Sequence, residues 1–361
     1  MTTSGRTIAP NCFVRTLRRL QIIVLAAAIV LPLTAASKKQ TRVSKKGSAS
    51  RVKTERERAP VFDPAIVNDA GHTPAIGPES SGPAVLRAQI LLDRLHFSPG
   101  EIDGRYGRNT DIAIRGFQAS KGLEPTGLID AQLWQQLNTD NSPVLIPYTV
   151  AYTDVAGPFV EIPADMMEQA QLKALGYKTA AEALGEKFHI DPALLAKLNR
   201  GKDLSRAGEE LLVPNVVREP AAAPKADRVI VSKTRMIVEA RAGDKLLAQY
   251  PATIGSEHDP LPIGDWTITI VQKNPVFHYN PELFWDADTK HSKATIPAGP
   301  NNPVGLVWIG ISKEHYGIHG TPEPGAVGHA QSHGCIRVTN WDAIELAAMV
   351  QRGLPVILQE P

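Results

Sequence analysis

The sequence predicts a multidomain chain. A mainly-β domain with one or two helices occupies residues 227–361, preceded by a small three-helix bundle and a small α+β module. Two observations carry this reading. Apolar residues recur at helical spacing through the first half and in strand-like runs in the last third. A Pro- and Ala-rich break, Glu219-Pro-Ala-Ala-Ala-Pro-Lys-Ala, separates the two regimes as a linker over 218–226. Hydrophobic residues at 43% and charged residues at 21% describe a soluble globular chain, and a net charge of +2 gives no sign of a nucleic-acid partner.

At the N-terminus, Arg6, Arg15, Arg18 and Arg19 precede an apolar run from Leu20 to Ala36 that ends in Thr34-Ala35-Ala36. A basic region, an apolar core and small residues at the end read as an export signal over 1–36. Pro32 favours cleavage; an uncleaved anchor is the alternative, and the leader is then the chain's only membrane contact. Either way, the residues after Ser37 are expected outside the cytoplasm. Residues 37–82, rich in Lys, Arg, Ser, Pro and Gly, are expected to be a disordered basic linker.

Within 83–138, Val85, Leu86, Ile90, Leu92 and Leu95 mark a first helix. Thr110, Ile112, Ala113, Ile114 and Phe117 mark a second, and Leu133, Trp134 and Leu137 a third. The run D-G-R-Y-G-R-N-T-D-I-A-I-R-G-F-Q, followed by G-L-E-P-T-G-L-I-D-A-Q-L-W, resembles the peptidoglycan-binding domain of wall enzymes. Asp103, Tyr106, Phe117 and Gln118 are read there as structural residues.

Residues 147–217 contain Y-K-T-A-A-E-A-L-G-E-K-F-H-I-D-P-A-L-L-A-K-L-N and then L-S-R-A-G-E-E-L-L-V-P-N. Asp191 can cap a helix that opens on Pro192, and Leu211-Leu212-Val213 suits a closing strand. This module resembles the lysin motif (LysM), which implies binding of N-acetylglucosamine polymers. It departs from that motif in its opening strand and in an insertion after Tyr148-Thr149-Val150; a helical spacer is the alternative.

The last domain opens with R-V-I-V-S, R-M-I-V-E-A and K-L-L-A-Q-Y-P-A-T-I, with a turn at Ala242-Gly243-Asp244. W-T-I-T-I-V, V-G-L-V-W-I-G-I and P-V-I-L add strands. Thr339 and Asp342 suggest a capping box for one helix, with Gly353 as its C-cap. Between Asn274 and Asn301 runs a long segment carrying Phe277, His278, Tyr279, Phe284 and Trp285. Loops of that length are usually functional, so it is read as a lid; packing of its own aromatics is the alternative.

The chain has two cysteines, and Cys12 lies in the expected leader. Cys335 stands in S-H-G-C-I-R-V-T-N. A cysteine attacks as thiolate, so a nucleophile needs a base or a lowered pKa. His319, in Y-G-I-H-G-T, follows a predicted strand at a spacing that lets a long turn bring it back to the thiol. Gly320 and Gly334 leave amide groups uncovered, as an oxyanion hole requires. Two other readings stay open on spacing alone: a buried inert cysteine, and a zinc site from His319, His329, His333 and Cys335.

I-P-A-G-P-N-N-P-V-G-L-V-W-I, Y-G-I-H-G-T-P-E-P and S-H-G-C-I-R-V-T-N-W-D-A are similar to the catalytic domain of bacterial L,D-transpeptidases. The resemblance implies a β-sandwich-like fold, with Cys335 as nucleophile, His319 as general base, and His333 and Gly334 completing the catalytic set. It implies substrate contacts from Arg337, Ser332, Gly320, Thr321 and Trp308, near Asn302-Pro303-Val304-Gly305. It implies no metal and no cofactor. The expected partners are peptidoglycan stem peptides and glycan strands, with a stem peptide, an outer-membrane lipoprotein lysine or water as acyl acceptor. The expected location is periplasmic, at the cell wall.

Overall fold

The computed structural model describes residues 61–216, 223–329 and 332–361. The expected leader, residues 37–60 of the basic linker and residues 217–222 of the second linker lie outside the described residues. From residue 61 the expected disordered linker is instead ordered. Asp63 caps helix α1 (Pro64–Asn68), Val67 is buried, and Ile76 pairs with Ile129. Two isolated apolar side chains show no periodicity, yet they suffice to dock this segment on the helices that follow.

Those helices are α2 (Pro83–Arg94), α3 (Arg108–Ser120) and α4 (Ala131–Leu137). They bury Leu86, Ile90, Ile114, Phe117 and Trp134. Tyr106 donates to Asp111 and to the Gly127 carbonyl, and Gln118 braces the turn before α4, so both act within the bundle.

Next come β1 (Leu145–Thr149), α5 (Tyr152–Val155), α6 (Met166–Gln169), α7 (Ala180–Lys187), α8 (Pro192–Leu198) and β2 (Glu210–Pro214). Thr179 and Asp191 cap α7 and α8, and β1 pairs antiparallel with β2 around them. The bundle and this module share one apolar core running from Val67 to Val216.

The C-terminal part begins with β3 (Arg228–Ser232), β4 (Ile237–Ala242), β5 (Lys245–Pro251), β6 (Thr253–Ile254) and β7 (Gly264–Lys273). It continues with β8 (Phe277–Tyr279), β9 (Ala294–Ile296), β10 (Val307–Ile311), β11 (Gly317–His319) and β12 (Ile336–Arg337), then α9 (Asn340–Met349) and β13 (Pro355–Gln359). Where a sandwich has two separate sheets, nine strands here form one hydrogen-bonded order, β5-β4-β3-β13-β7-β10-β11-β12-β6. The long β7 makes the difference: its first residues pair with β13 and the rest with β10. β8 and β9 form a separate two-stranded sheet.

Thr339 Oγ accepts from the Asp342 amide at 3.1 Å, the first half of the expected capping box. The Asp342 carboxylate accepts from Ser98 of the bundle at 3.0 Å. Helix α9 ends at Val350, and Gly353 (φ +86°) instead turns the chain into β13.

The two halves meet through named contacts. Ser98 N–H donates to the Gln249 carbonyl, and Gln249 Nε2 to the Ile112 carbonyl. His189 stacks on Trp341 at 5.0 Å. Asn340 Nδ2 donates to Glu186 at 2.7 Å. Burial pushes the Glu186 carboxyl up to about 8 from an ordinary 4.5. The folded state therefore keeps a proton that the unfolded chain gives up between these values. Stability from this group is complete below pH 4.5 and is lost as pH rises through 8. Glu186→Gln should raise the melting temperature by a few degrees at pH ~9, with the gain vanishing near pH ~4.5, as scanning calorimetry would show.

Candidate active site

Strands β11 and β12 run parallel, with Ile318 opposite Ile336 and His319 opposite Arg337. Side chains alternate along a strand, so one face takes Ile318 and Ile336, both fully buried in the core. The other face takes His319, Arg337 and, two residues before it, Cys335. Trp308 of β10 stands opposite His319, and the two rings stack at 5.5 Å and 26°. The shared face opens on a cleft of about 970 Å³ lined by Cys335, His319, Arg337, Trp308 and His333, among others.

Backbone geometry fixes this arrangement. Ser332 Oγ donates to the Cys335 carbonyl at 2.6 Å and accepts from the Gly255 amide at 2.7 Å, pinning the turn before β12 to β6. Gly334 has φ +92°, and a Cβ there would lie 2.8 Å from the Tyr316 ring. A Cβ on Gly320 would lie 2.2 Å from Asn340 Oδ1. Thr321 is buried and accepts from the Glu323 amide.

The expected site residues thus divide. Cys335, His319, His333, Arg337 and Trp308 line the cleft, while Ser332, Gly320, Thr321 and Gly334 do not. For Ser332, Gly320 and Thr321 the expected substrate contact gives way to turn-holding and close packing, because their side chains or Cα atoms are spent on neighbouring backbone. His333 is turned to the lid: its Nε2 meets Asp286 at 2.9 Å and its ring packs edge-on to Phe284 at 5.2 Å. His329 lines a separate small cavity with Glu101 and Asp103, so the four putative zinc donors considered from sequence are not brought together.

Cys335 Sγ donates weakly to the His315 carbonyl at 3.5 Å, and no hydrogen bond joins it to His319. Burial pushes the thiol up to about 11; the Gly317 backbone and the Arg337 guanidinium oppose the rise, and Asp259 adds to it. Burial first, then Arg337, pushes His319 down to about 3. His319 Nδ1–H donates to the Gly320 carbonyl at 2.6 Å, which leaves Nε2 as the free acceptor. The resting pair is a neutral thiol and a neutral imidazole. Such a pair works by general-base transfer during attack, not as a preformed ion pair.

The lid aromatics do both things expected of them. Phe277, Tyr279 and Phe284 pack on one another with centroids 5.6–6.3 Å apart, and all three line the cleft. Trp285 is 62% exposed and stacks on His258 at 4.5 Å. The sequence reading missed Tyr316, His315, Asp259, Asp286 and Met166 among the lining residues. Tyr316 and His315 adjoin the G-I-H-G-T segment and were within reach of that motif. Asp259 lies in an irregular turn, and Met166 comes from the other half of the chain, where no local pattern points to it.

The neutral thiol has a measurable signature. Alkylation of Cys335 by iodoacetamide should rise about tenfold per pH unit from ~7 to ~10 with no plateau near neutrality. Arg337→Met, which removes the opposing cation, should slow it further. A plateau near pH ~7 would show an ion pair already formed.

A family model described as "L,D-transpeptidase catalytic domain" (YkuD) matches residues 226–358. A second, "Putative peptidoglycan binding domain", matches residues 81–137. The chain is 30% identical over 177 residues to a Bacillus licheniformis protein named "Putative L,D-transpeptidase YkuD", covering 48% of this chain and 90% of that one. The protein of the same name from Bacillus subtilis is 28% identical over 177 residues, covering 49% and 91%. An Escherichia coli protein named "Probable L,D-transpeptidase YbiS" is 28% identical over 183 residues, covering 49% of this chain and 57% of its own length. With its thiol, imidazole and guanidinium on one face of the β11–β12 pair and these relatives over the same domain, the chain belongs to the L,D-transpeptidase family.

Proposed function

We propose that this protein is a peptidoglycan L,D-transpeptidase that uses Cys335 as nucleophile and His319 as general base. The observation that carries the reading is the placement of Cys335, His319 and Arg337 on one sheet face at the cleft. The donor is a tetrapeptide stem. Cys335 Sγ attacks the carbonyl that joins the L-centre of the third residue to the terminal D-alanine, and its proton passes to His319 Nε2. Arg337 favours the developing thiolate, and the Gly334 and Cys335 amides hold the oxyanion. His319 then protonates the departing D-alanine amine, leaving a thioester.

An acceptor amine from a second stem attacks the thioester, gives its proton to His319 and returns Cys335 to the thiol. The product is a 3→3 cross-link. Water in the acceptor's place gives an L,D-carboxypeptidase, and a lipoprotein lysine gives protein anchoring; a sheltering lid over the thiol favours transfer to an amine. The helical bundle and the LysM-like module hold glycan strands, and the chain works in the periplasm at the wall. The β1–α7–α8–β2 order supports the LysM-like reading.

Purified disaccharide-tetrapeptides supply the test. Mass spectrometry should find dimers with loss of D-alanine; tripeptides alone would mean a carboxypeptidase. Cys335→Ala and His319→Gln should each lower the rate about 10³-fold or more. Unchanged products from Cys335→Ala would remove the nucleophile assignment.

A further inference from the structure

Three observations converge on residues 156–178, which belong by sequence to the N-terminal half. First, Ala164 and Met166 line the same cleft as Cys335. Second, Asp165 serves two ends. Its Oδ1 caps α6 through the Met167 and Glu168 amides, and its Oδ2 meets His291 Nε2 at 3.1 Å. The other ring nitrogen of His291 meets the Tyr279 hydroxyl at 2.9 Å, and both residues line the cleft from the 274–301 segment. Third, Leu175 is buried with Tyr279 and Ile296. Its amide donates to the Ala298 carbonyl, and its carbonyl accepts from the Asn301 amide. Gly299 (φ +146°) has no room for a side chain, since a Cβ would lie 2.1 Å from the Leu175 carbonyl oxygen.

We propose that residues 156–178 are a built-in wall of the substrate cleft. Through the Asp165–His291–Tyr279 chain they position the aromatic segment 274–301 for binding the stem-peptide donor. The donor's identity rests on the function proposed above; the wall does not. The need for outside support is physical. β8 and β9 stand apart from the nine-stranded sheet, and a lone two-stranded hairpin is marginal in water. Leu175 gives the hairpin an apolar anchor, and the carboxylate–imidazole–hydroxyl chain fixes its angle. Asp165, His291 and Tyr279 are positioning residues: they hold the lid, and the lid holds the donor over the thiol. Breaking the chain loosens the lid, so small reagents reach Cys335 faster while the donor binds less well.

The full chain tests this with Asp165→Ser, which keeps the helix cap but is too short to reach His291. His291→Phe fills the ring's place and makes neither bond. Both variants should be alkylated at Cys335 by iodoacetamide about threefold faster or more, followed by mass spectrometry of the Cys335 peptide. For the disaccharide-tetrapeptide, KM should rise about fivefold and kcat fall by a smaller factor. Alkylation rates equal to the parent's overturn the wall. Faster alkylation with unchanged KM overturns the role in donor binding. Tyr279→Phe, which deletes one hydroxyl, decides the matter if the other two variants fold poorly. Should the parent release no D-alanine, the transpeptidase reading falls, and alkylation alone still decides the wall.

Discussion

One buried amide holds the catalytic frame together. Asn340, at the start of α9, is 1% exposed and uses both ends of its side chain. Its Oδ1 accepts from the Leu306 amide at the entry to β10. Its Nδ2 donates to the Pro300 carbonyl and to Glu186 of α7. Gly305 and Gly320 have to be glycines because a Cβ on either would lie 2.1–2.2 Å from that Oδ1. Gly320 in turn offers the carbonyl that sets the tautomer of His319. The orientation of the base thus depends on an amide that never reaches the cleft, and a buried polar group with full partners gives a single well-defined geometry.

The electrostatics follow from the same burial. Desolvation disfavours charge on both the thiol and the imidazole, and Arg337 acts on each in opposite senses: it eases ionisation of Cys335 and resists protonation of His319. Neither group carries charge at rest, so the guanidinium is the fixed positive charge on this face. Any negative charge that forms during reaction forms next to it.

The sequence made the local features legible. Asp191 and Thr339 announced helix starts, apolar spacing announced α2 and α3, and the S-H-G-C-I-R run pointed at the face that β12 presents. What stayed hidden depends on distance. Asp165 and His291 are 126 residues apart, and nothing in either neighbourhood refers to the other. Composition separated the bundle from the β1–β2 module, yet one core spans both, because isolated residues such as Val67 and Val216 fill gaps without making a pattern. Gly353 read as a helix end for the same reason: a glycine with positive φ ends helices and makes turns alike.

The raised thiol also bears on how such a protein survives its surroundings. Peroxides attack thiolates far more readily than thiols, and the sulfinic and sulfonic steps beyond are irreversible. A cysteine held neutral by burial, with its sulfur turned toward a backbone carbonyl and its cleft roofed by aromatic rings, presents little of the reactive form between turnovers. The desolvation that makes attack wait for a base therefore also works as a form of rust-proofing, keeping the lone sulfur reduced without a partner cysteine.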